Sequence, residues 1–385
     1  MRIDLDSHAT TRLDPRVLEA MLPWLSGCGG NAASTQHASG RAAREAVETA
    51  RGRIATALGC DVREIVFTSG ATESNNLAIR GLMAGSGSAS QVITNAAEHR
   101  AVLDPVRRLS REGLETTILP VDAVGAVDPA EIEAAVADNT ALVSVMLANN
   151  EVGTINDVLA IGEVARRHQV FVHSDASQAV GKIPIDLSRL PVDLMSFTAH
   201  KLHGPQGIGA LYVRRGERRL PLRPLVEGGG HELGLRSGTL PVALIVGFGE
   251  AIRLAIESMA EATAQTTRLR DRLKSRLEPV SGIHWNGPPA ERRLPNNLNV
   301  SFDGIDGEAL LVRIDQLGVD ASSGAACSST NPEPSHVLRA MGVSESLARA
   351  SLRFGLSRFT TEDEVDRAAV IVSDAVTSLR SSART

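Results

Sequence analysis

Cysteine is scarce in this chain, and its scarcity argues against a disulfide-stabilised fold. The 385 residues include 3 cysteines, Cys28, Cys60 and Cys327. An odd and small number is not typical of a disulfide framework and fits a reducing compartment. We therefore expect a cytoplasmic protein that is stabilised by a large packed core.

Long apolar runs and a large excess of one charge are also missing. No segment approaches the ~20 consecutive apolar residues of a membrane span, and the first residues do not resemble a signal peptide. The net charge is -5, which argues against a surface-wide nucleic-acid footprint. A local basic run at 214–219 is either a solvated strand end or a docking patch. We expect no membrane partner and no direct nucleic-acid partner.

Alternating strand-like and helix-like stretches fill the chain from about residue 38 to 215. Continuous apolar strands separated by helices predict an α/β fold with a mainly parallel sheet that is covered on both faces. The strand candidates are 64–68, 91–94, 115–119, 141–147, 170–173, 193–197 and 209–213.

A long helical pattern at 244–279 predicts a connecting helix between a large and a small domain. Strands are expected at 297–302 and 350–356, and Thr361 with Glu364 forms a capping box before the last helix. We predict a large domain at 15–255 and a small domain made of 1–14 and 256–385.

Lys201 and Asp175 are the most informative pair of residues. Each follows an apolar run that predicts a strand, and α/β sheets bind ligands at strand ends. Lysine holds pyridoxal phosphate (PLP) as a Schiff base, and an aspartate pairs with the pyridinium nitrogen. A surface lysine after a strand is the simpler alternative for Lys201 alone.

Several polar residues are placed to bind the rest of such a cofactor. The turn at 69–72 opens a helix whose N-terminus can hold a phosphate, although a capped turn has the same sequence. Thr198 and His200 stand beside Lys201 and offer further donors. His99 begins a helix, where it either stacks on a ring and shuttles protons or caps the helix. Gln178, three residues after Asp175, is a candidate donor to a ring oxygen.

The substrate side is less specific in sequence. Asn150 follows an apolar run and is either a turn residue or a substrate ligand. Arg353 alternates with apolar residues on a strand, where it either captures a carboxylate or faces solvent. His200 and His203 lack a third ligand with suitable spacing, which argues against a metal site.

Cys327 is the candidate nucleophile. It lies in the small, polar, proline-terminated stretch 321–334, which is typical of an exposed loop. An accessible cysteine can act as a nucleophile. Cys28, between glycines, is the competing candidate, and Cys60 is interpreted as a packing residue.

Taken together, these stretches resemble the cysteine desulfurases, PLP enzymes of the class V branch of the aspartate-aminotransferase fold. The resemblance implies fold type I, with a seven-stranded sheet in the large domain and a smaller α+β domain that carries the catalytic cysteine loop. The matching segments follow the family's order over nearly the whole chain: 6–11, 67–74, 98–99, 148–153, 173–178, 200–201, 236–239 and 322–327.

The resemblance also implies a role for each candidate. Lys201 would form the Schiff base, and Cys327 would take the sulfur. Thr239 would reach the phosphate bound by the partner subunit, which implies a homodimer. Asn31 would be a substrate ligand, although Ala32 follows it where the family usually has proline. The remaining implied ligands are Asp175, Gln178 and His99 for the ring, Ala71, Thr72, Thr198 and His200 for the phosphate, and Asn150 and Arg353 for the substrate carboxylate.

The implied reaction converts L-cysteine to L-alanine and leaves a persulfide on Cys327. The sulfur then passes to an acceptor protein: an iron–sulfur scaffold, a tRNA-thiolation enzyme or a DNA-phosphorothioation protein. The long spacing from Cys327 to Pro334 resembles the long-loop, nitrogen-fixation and iron–sulfur type. The alternatives are a selenocysteine lyase or another PLP-dependent lyase or aminotransferase of the same fold, in which Cys327 is dispensable. A sulfur-relay protein with a vestigial PLP site is the non-enzymatic alternative.

Overall fold

The structure is a computed structural model that describes residues 2–27, 29–216, 218–323 and 333–382. Cys28 and Cys327 lie outside these ranges. In chain order, the strands within them are β1 (Ile3–Asp4), β2 (Ile65–Thr68), β3 (Gln91–Asn95), β4 (Glu115–Leu119), β5 (Thr140–Ser144), β6 (Phe171–Asp175), β7 (Leu194–Thr198), β8 (Gly209–Val213), β9 (Ile283–Asn286), β10 (Asn297–Phe302), β11 (Val319–Asp320) and β12 (Ser351–Gly355).

The helices surround these strands. A π-helical turn, Leu77–Gly81, joins the third and fourth helices, and short 3₁₀ turns occur at Val62–Glu64, Ala199–Lys201, Glu232–Gly234 and Ala290–Arg292. The α-helices are α1 (Pro15–Ser26), α2 (Ala38–Leu58), α3 (Ala71–Asn76), α4 (Leu82–Gly85), α5 (Arg100–Arg111), α6 (Pro129–Ala135), α7 (Val158–Arg167), α8 (Val242–Glu257), α9 (Met259–Leu277), α10 (Gly307–Gln316), α11 (His336–Ala340), α12 (Glu345–Arg349) and α13 (Glu362–Ser382).

The predicted mainly parallel sheet of seven strands is confirmed. Its order is β2-β8-β7-β6-β5-β3-β4, and β8 is the one strand of this sheet that points opposite to the other six. Because β2 is antiparallel to β8, and β8 is antiparallel to β7, strand β2 runs in the same direction as β7. Six strands therefore end at one common edge of the sheet.

Apolar side chains cover both faces of this sheet, as its continuous apolar strands require. One face packs against α2, α7 and α8 through residues such as Val47, Ile161 and Phe248. The other face packs against α4 and α5 through Leu82 and Val106. The polar ends of the strands remain to form a site at the edge.

A second hydrophobic core joins the start of the chain to its C-terminal part. Ile3 and Leu5 pack with residues of α9, α10, α13 and the antiparallel sheet β12-β10-β9. β1 also pairs in parallel with β11. The first residues are therefore held against the C-terminal part of the chain. The exact domain boundaries stay a prediction.

The long helix expected at 244–279 is two helices, α8 and α9, which meet at Ser258. The backbone of Ser258 is at φ -95° and ψ 1°, away from the helical values. Its hydroxyl donates to the carbonyl of Leu254 at 2.8 Å, a local bond that competes with helix continuation. The expected capping box is confirmed, since Thr361 and Glu364 exchange hydrogen bonds at 2.8 and 3.3 Å.

The contact between α2 and α8 yields a stability prediction. A Cβ atom at Gly249 of α8 would lie 2.7 Å from the Cα of Ala50, so we expect Gly249→Ala to cost about 1–3 kcal/mol through overpacking. A Cβ atom at Gly52 of α2 meets nothing within 4 Å, so Gly52→Ala should stabilise by about 0.5–1 kcal/mol. Thermal unfolding of both variants at equal concentration measures this. A shift in the same direction for both would contradict it.

Candidate active site

A cavity of about 610 Å³ opens at the common edge of the large sheet. Five of the six strands that end there, all except β4, contribute residues to its wall, because parallel strands bring their carboxyl ends together. The predicted residues that line it are Ala71 and Thr72 after β2, His99 after β3, Asn150 after β5, Asp175 and Gln178 at the end of β6, Thr198, His200 and Lys201 at the end of β7, and Arg353 on β12.

Lys201 ends the 3₁₀ turn that directly follows β7, so its side chain enters the cavity from the strand end. Its Nζ donates to the backbone carbonyls of His8 and of Ala9, the latter at 2.7 Å. Burial, together with the nearby Arg353 guanidinium, lowers the pKa of Lys201 to about 8 from 10.5. With that pKa, roughly one molecule in ten carries a neutral, nucleophilic amine at pH 7.

Asp175 occupies the last position of β6, and its carboxylate is held by two donors. The side-chain amide of Asn75 donates to Oδ2 at 2.7 Å, and the backbone N–H of Ser177 donates to Oδ1 at 2.9 Å. These bonds fix the orientation of a negative charge in the cavity wall. The hydroxyl of Ser177, in the same wall, has no hydrogen-bond partner within the described ranges.

The turn after β2 exposes a helix N-terminus to the cavity. Gly70 has φ 155°, which favours glycine, and no side chain caps the helix that begins at Ala71. A Cβ atom at Gly209 would lie 2.7 Å from the Cα of Gly70, so the backbone of β8 approaches this turn too closely for any other residue. The free N–H groups and the helix dipole suit an anionic group such as a phosphate.

His200 borders this turn in its neutral form. Burial, and then the charge of Lys201, lower the pKa of His200 to about 4. Its Nδ1 lies 3.1 Å from the hydroxyl of Thr10. A neutral ring has one N–H group, so His200 can donate to an anion without adding a charge.

His99 is both a helix cap and a cavity residue, so the two interpretations of its sequence position are compatible. Its Nδ1 accepts a hydrogen bond from the backbone N–H of Ala101 at 3.0 Å. Burial lowers its pKa, although the Asp175 carboxylate opposes this. The neutral ring therefore carries its proton on Nε2, and its capping bond fixes the ring in the wall of the cavity.

Arg353 reaches the cavity from the second core. Its side chain donates to Asp6 Oδ1 at 2.9 Å and to the carbonyl of Asn150 at 3.2 Å. It is only 6% exposed, and its Nε lacks a partner in the described part of the chain. A buried guanidinium with donors to spare suits a carboxylate ligand.

The sequence assigned no roles to the start of the chain, yet His8, Ala9 and Thr10 line the cavity. His8 and Gln178 exchange hydrogen bonds at 3.0 Å, and burial lowers the pKa of His8 well below its ordinary value. Lys182 donates to the same Gln178 oxygen at 2.8 Å. The segment 6–11, which matches the family, was a sequence signal that could have identified His8 as a site residue. No sequence signal pointed to Lys182 or Asn75.

Two of the predicted site residues that the structure describes do not line this cavity. Asn31 and Thr239 are exposed and do not line it. Cys327 lies outside the described residues, but both flanks of 324–332 are anchored near the site. Ser322 donates to Asp6 Oδ2 at 2.7 Å, and His336 Nε2 lies 2.8 Å from the carbonyl of Glu98.

The residues present fit PLP. The Lys201 amine, with its lowered pKa, suits the aldehyde of PLP, and the fixed Asp175 carboxylate suits the pyridinium nitrogen. The uncapped helix N-terminus suits the phosphate, and the unpartnered Ser177 hydroxyl is available for a further polar contact. Across the described ranges, no group of three or more His, Cys, Asp or Glu could hold a metal ion. Within the same ranges, no helix has the length and apolar character needed to cross a membrane.

Known proteins resemble this chain in sequence and in fold. The sequence model of the family described as Aminotransferase class-V matches residues 3–368. The chain is 51% identical over 381 residues to the cysteine desulfurase IscS of Pseudomonas aeruginosa strain UCBPP-PA14, which covers 98% of this chain and 93% of that protein. A solved NifS-like protein has a TM-score of 0.92 at 40% identity, over 98% of this chain and 100% of that one. DndA from Streptomyces lividans has a TM-score of 0.79 at 40% identity, over 91% and 98%.

The cavity predicts which lysine binds the cofactor. The chain has three lysines, and burial lowers the pKa of Lys182 to about 7 as well as that of Lys201. Only Lys201 lines the cavity, so borohydride reduction of the PLP-loaded protein should label Lys201 in the parent and in Lys182→Arg. We expect no label in Lys201→Arg. Peptide mapping by mass spectrometry measures this, and a label on Lys182 would contradict the assignment.

Proposed function

The chain belongs to the class V aminotransferases and, within them, to the PLP-dependent cysteine desulfurases, and we propose that it transfers the sulfur of L-cysteine to Cys327 and releases L-alanine. The expected family, fold, enzyme class and cofactor are thereby confirmed. The observation that carries the proposed site is the Lys201 amine, whose pKa is lowered to about 8 in a cavity that also holds Asp175 and Arg353.

Each wall of the cavity has a task toward its ligand. Asp175 would face the pyridinium nitrogen of PLP, and the helix N-terminus at Ala71 and Thr72, with Thr198 and His200, would hold the phosphate. When bound, PLP supplies an electron sink for the carbon atoms of the amino acid. Neutral His99, with its proton on Nε2, would lie against the ring.

The substrate is held and deprotonated by residues of both cores. Arg353, with Asn150, binds the carboxylate of L-cysteine, and Asn31 is proposed as a further ligand. Lys201 takes the proton from the α-carbon, because a base with a pKa near the working pH is the most effective. The carbonyls of His8 and Ala9 accept from Lys201 Nζ and keep it oriented.

Sulfur transfer to Cys327 needs no outside oxidant. The Cys327 thiolate attacks the sulfur of the substrate, so that an S–S bond forms while the bond from sulfur to the β-carbon breaks. The β-carbon takes a proton, and alanine leaves. The anchors at Ser322 and His336 support this role, because they keep both flanks of the segment that contains Cys327 beside residues of the cavity.

The cysteines give a direct test of this step. We expect Cys327→Ser to bind PLP and L-cysteine but to lose alanine production, because serine is a far weaker nucleophile toward sulfur. Cys60→Ser should stay active, since burial raises the pKa of the Cys60 thiol to about 12, and Cys28→Ser should also stay active.

Alanine formation and the visible PLP spectrum of the three variants measure this. Full turnover by Cys327→Ser would contradict the proposed acceptor and favour a simple lyase, including a selenocysteine lyase. Loss of turnover in Cys28→Ser with an intact spectrum would move the role to Cys28.

A homodimer is proposed from Thr239. Thr239 is exposed and outside the cavity of its own chain, so its proposed role requires the PLP phosphate of a second copy. The segment that presents it is firmly fixed. Arg236 pairs with Glu73 at 3.0 Å, and the buried Arg51 pairs with Glu232 at 2.8 Å. A rigid outer segment is suited to complete a neighbouring site.

Mixing two defective variants tests the dimer. Thr239→Val should weaken PLP binding about tenfold through the loss of a hydrogen bond to a charged group. Lys201→Ala should prevent the Schiff base. In a mixed dimer, one site combines an intact Lys201 with an intact Thr239, so co-refolded variants should regain alanine production. No recovery beyond the separate variants, or an active monomer by light scattering, would contradict the shared site.

The persulfide is proposed to pass to an acceptor protein in the cytoplasm. The small number of cysteines supports a reducing compartment. The net charge of -5 argues against direct nucleic-acid binding. An iron–sulfur scaffold, a tRNA-thiolation enzyme and a DNA-phosphorothioation protein are the candidate acceptors. A pull-down from native extract under conditions that preserve persulfides distinguishes them.

A further inference from the structure

A second cavity, of about 50 Å³, also touches Lys201. It lies between the start of the chain, the junction of α8 and α9, and the segment at 356–358. Lys201 is the one described residue that lines both this second cavity and the active-site cavity. The residue that carries the reactive amine therefore borders two separate cavities.

Three residues that line the second cavity each have a buried polar atom without a hydrogen-bond partner in the described part of the chain. These atoms are Ser7 Oγ, Asn296 Oδ1 and Arg358 Nε. Ser7 is 2% exposed and Asn296 is 4% exposed. Leaving such groups unpaired destabilises the fold, so three of them on residues of one cavity call for a common ligand.

The chemistry of these atoms identifies the ligand class. Arg358 Nε donates, Asn296 Oδ1 accepts, and the Ser7 hydroxyl does either. An anion would leave the Asn296 oxygen unpaired, and a cation would lie against Lys182 and Lys201, which line the same cavity. Water satisfies both donors and acceptors, and about 50 Å³ accommodates a few water molecules.

We propose that ordered waters fill the second cavity and exchange protons between Lys201 and the solvent. This deepens the proposed function and rests on it. PLP and the amino acid would lie against Lys201 on its active-site side during turnover, while the second cavity borders Lys201 away from them. Half-buried Ser258, Ala262 and Thr263 form its outer part.

The proton transfer changes only N–H and O–H bonds. Lys201, after it takes the α-proton, is an ammonium group that gives a proton to the nearest water. It then receives a proton from that water, so no oxidant or reductant is needed. Lys182 borders the same cavity and donates to Gln178 of the active site, which ties both cavities to one hydrogen-bonded network.

A high-resolution crystal structure of the PLP-loaded protein tests the waters directly. We expect ordered waters within hydrogen-bond distance of Ser7 Oγ, Asn296 Oδ1 and Arg358 Nε. A cavity closed by side chains, or one filled by a non-water ligand, would overturn the proposal. This result does not depend on catalytic activity.

Hydrogen exchange tests the route. In D₂O, the parent protein should replace the α-hydrogen of L-alanine by deuterium, which NMR follows. Ala262→Leu fills the outer part of the second cavity and should slow this exchange at least about tenfold. Ala264→Leu is the matched control, because Ala264 lies on the exposed face of the same helix and does not line the cavity.

Equal exchange rates in the two variants would overturn the water route while leaving the proposed function intact. A parent protein that exchanges no α-hydrogen would instead contradict the role of Lys201. Melting temperatures and PLP spectra of both variants verify that each is folded and loaded.

Discussion

Burial of the Lys201 ammonium beside Arg353 is the interaction on which the chemistry depends. A lysine in water is charged at neutral pH and is a poor nucleophile. In this fold, burial and a neighbouring guanidinium lower the pKa of Lys201 to about 8, while the carboxylates of Asp6 and Asp175 oppose a larger shift. The same Arg353 that destabilises the lysine charge is placed to bind the substrate carboxylate, so one residue serves both requirements.

The direction of the strands brings these groups together. Asp175 ends β6, Lys201 follows β7, and Gly70 follows β2, all at the common edge of one sheet. Arg353 comes from a different core and is held there by Asp6, whose segment pairs with the C-terminal part of the chain. The site is therefore complete only when the start, middle and end of the sequence are packed against each other.

Much of this was predictable because the signals were local. Strands such as β4, β8 and β10 have the predicted bounds, since each is a short stretch with glycine or proline close to both ends. Lys201, Asp175 and His99 follow such strands, and strand ends in α/β sheets meet at one edge.

Contacts between distant segments left no local signal. Asn75 holds Asp175 across 100 positions, and Arg353 reaches Asp6 across 347 positions. The break at Ser258 was missed because its neighbours keep a helical pattern.

The pKa of Lys201 is the most direct test of this account. With three lysines in the chain, apoprotein labelled with ¹³C at the lysine ε-carbons gives few NMR signals, and the signal lost in Lys201→Arg is that of Lys201. We predict that this signal titrates with a midpoint near 8, and that the midpoint rises in Arg353→Met because a nearby positive charge is removed. A midpoint at the ordinary 10.5 in the parent protein would contradict the account.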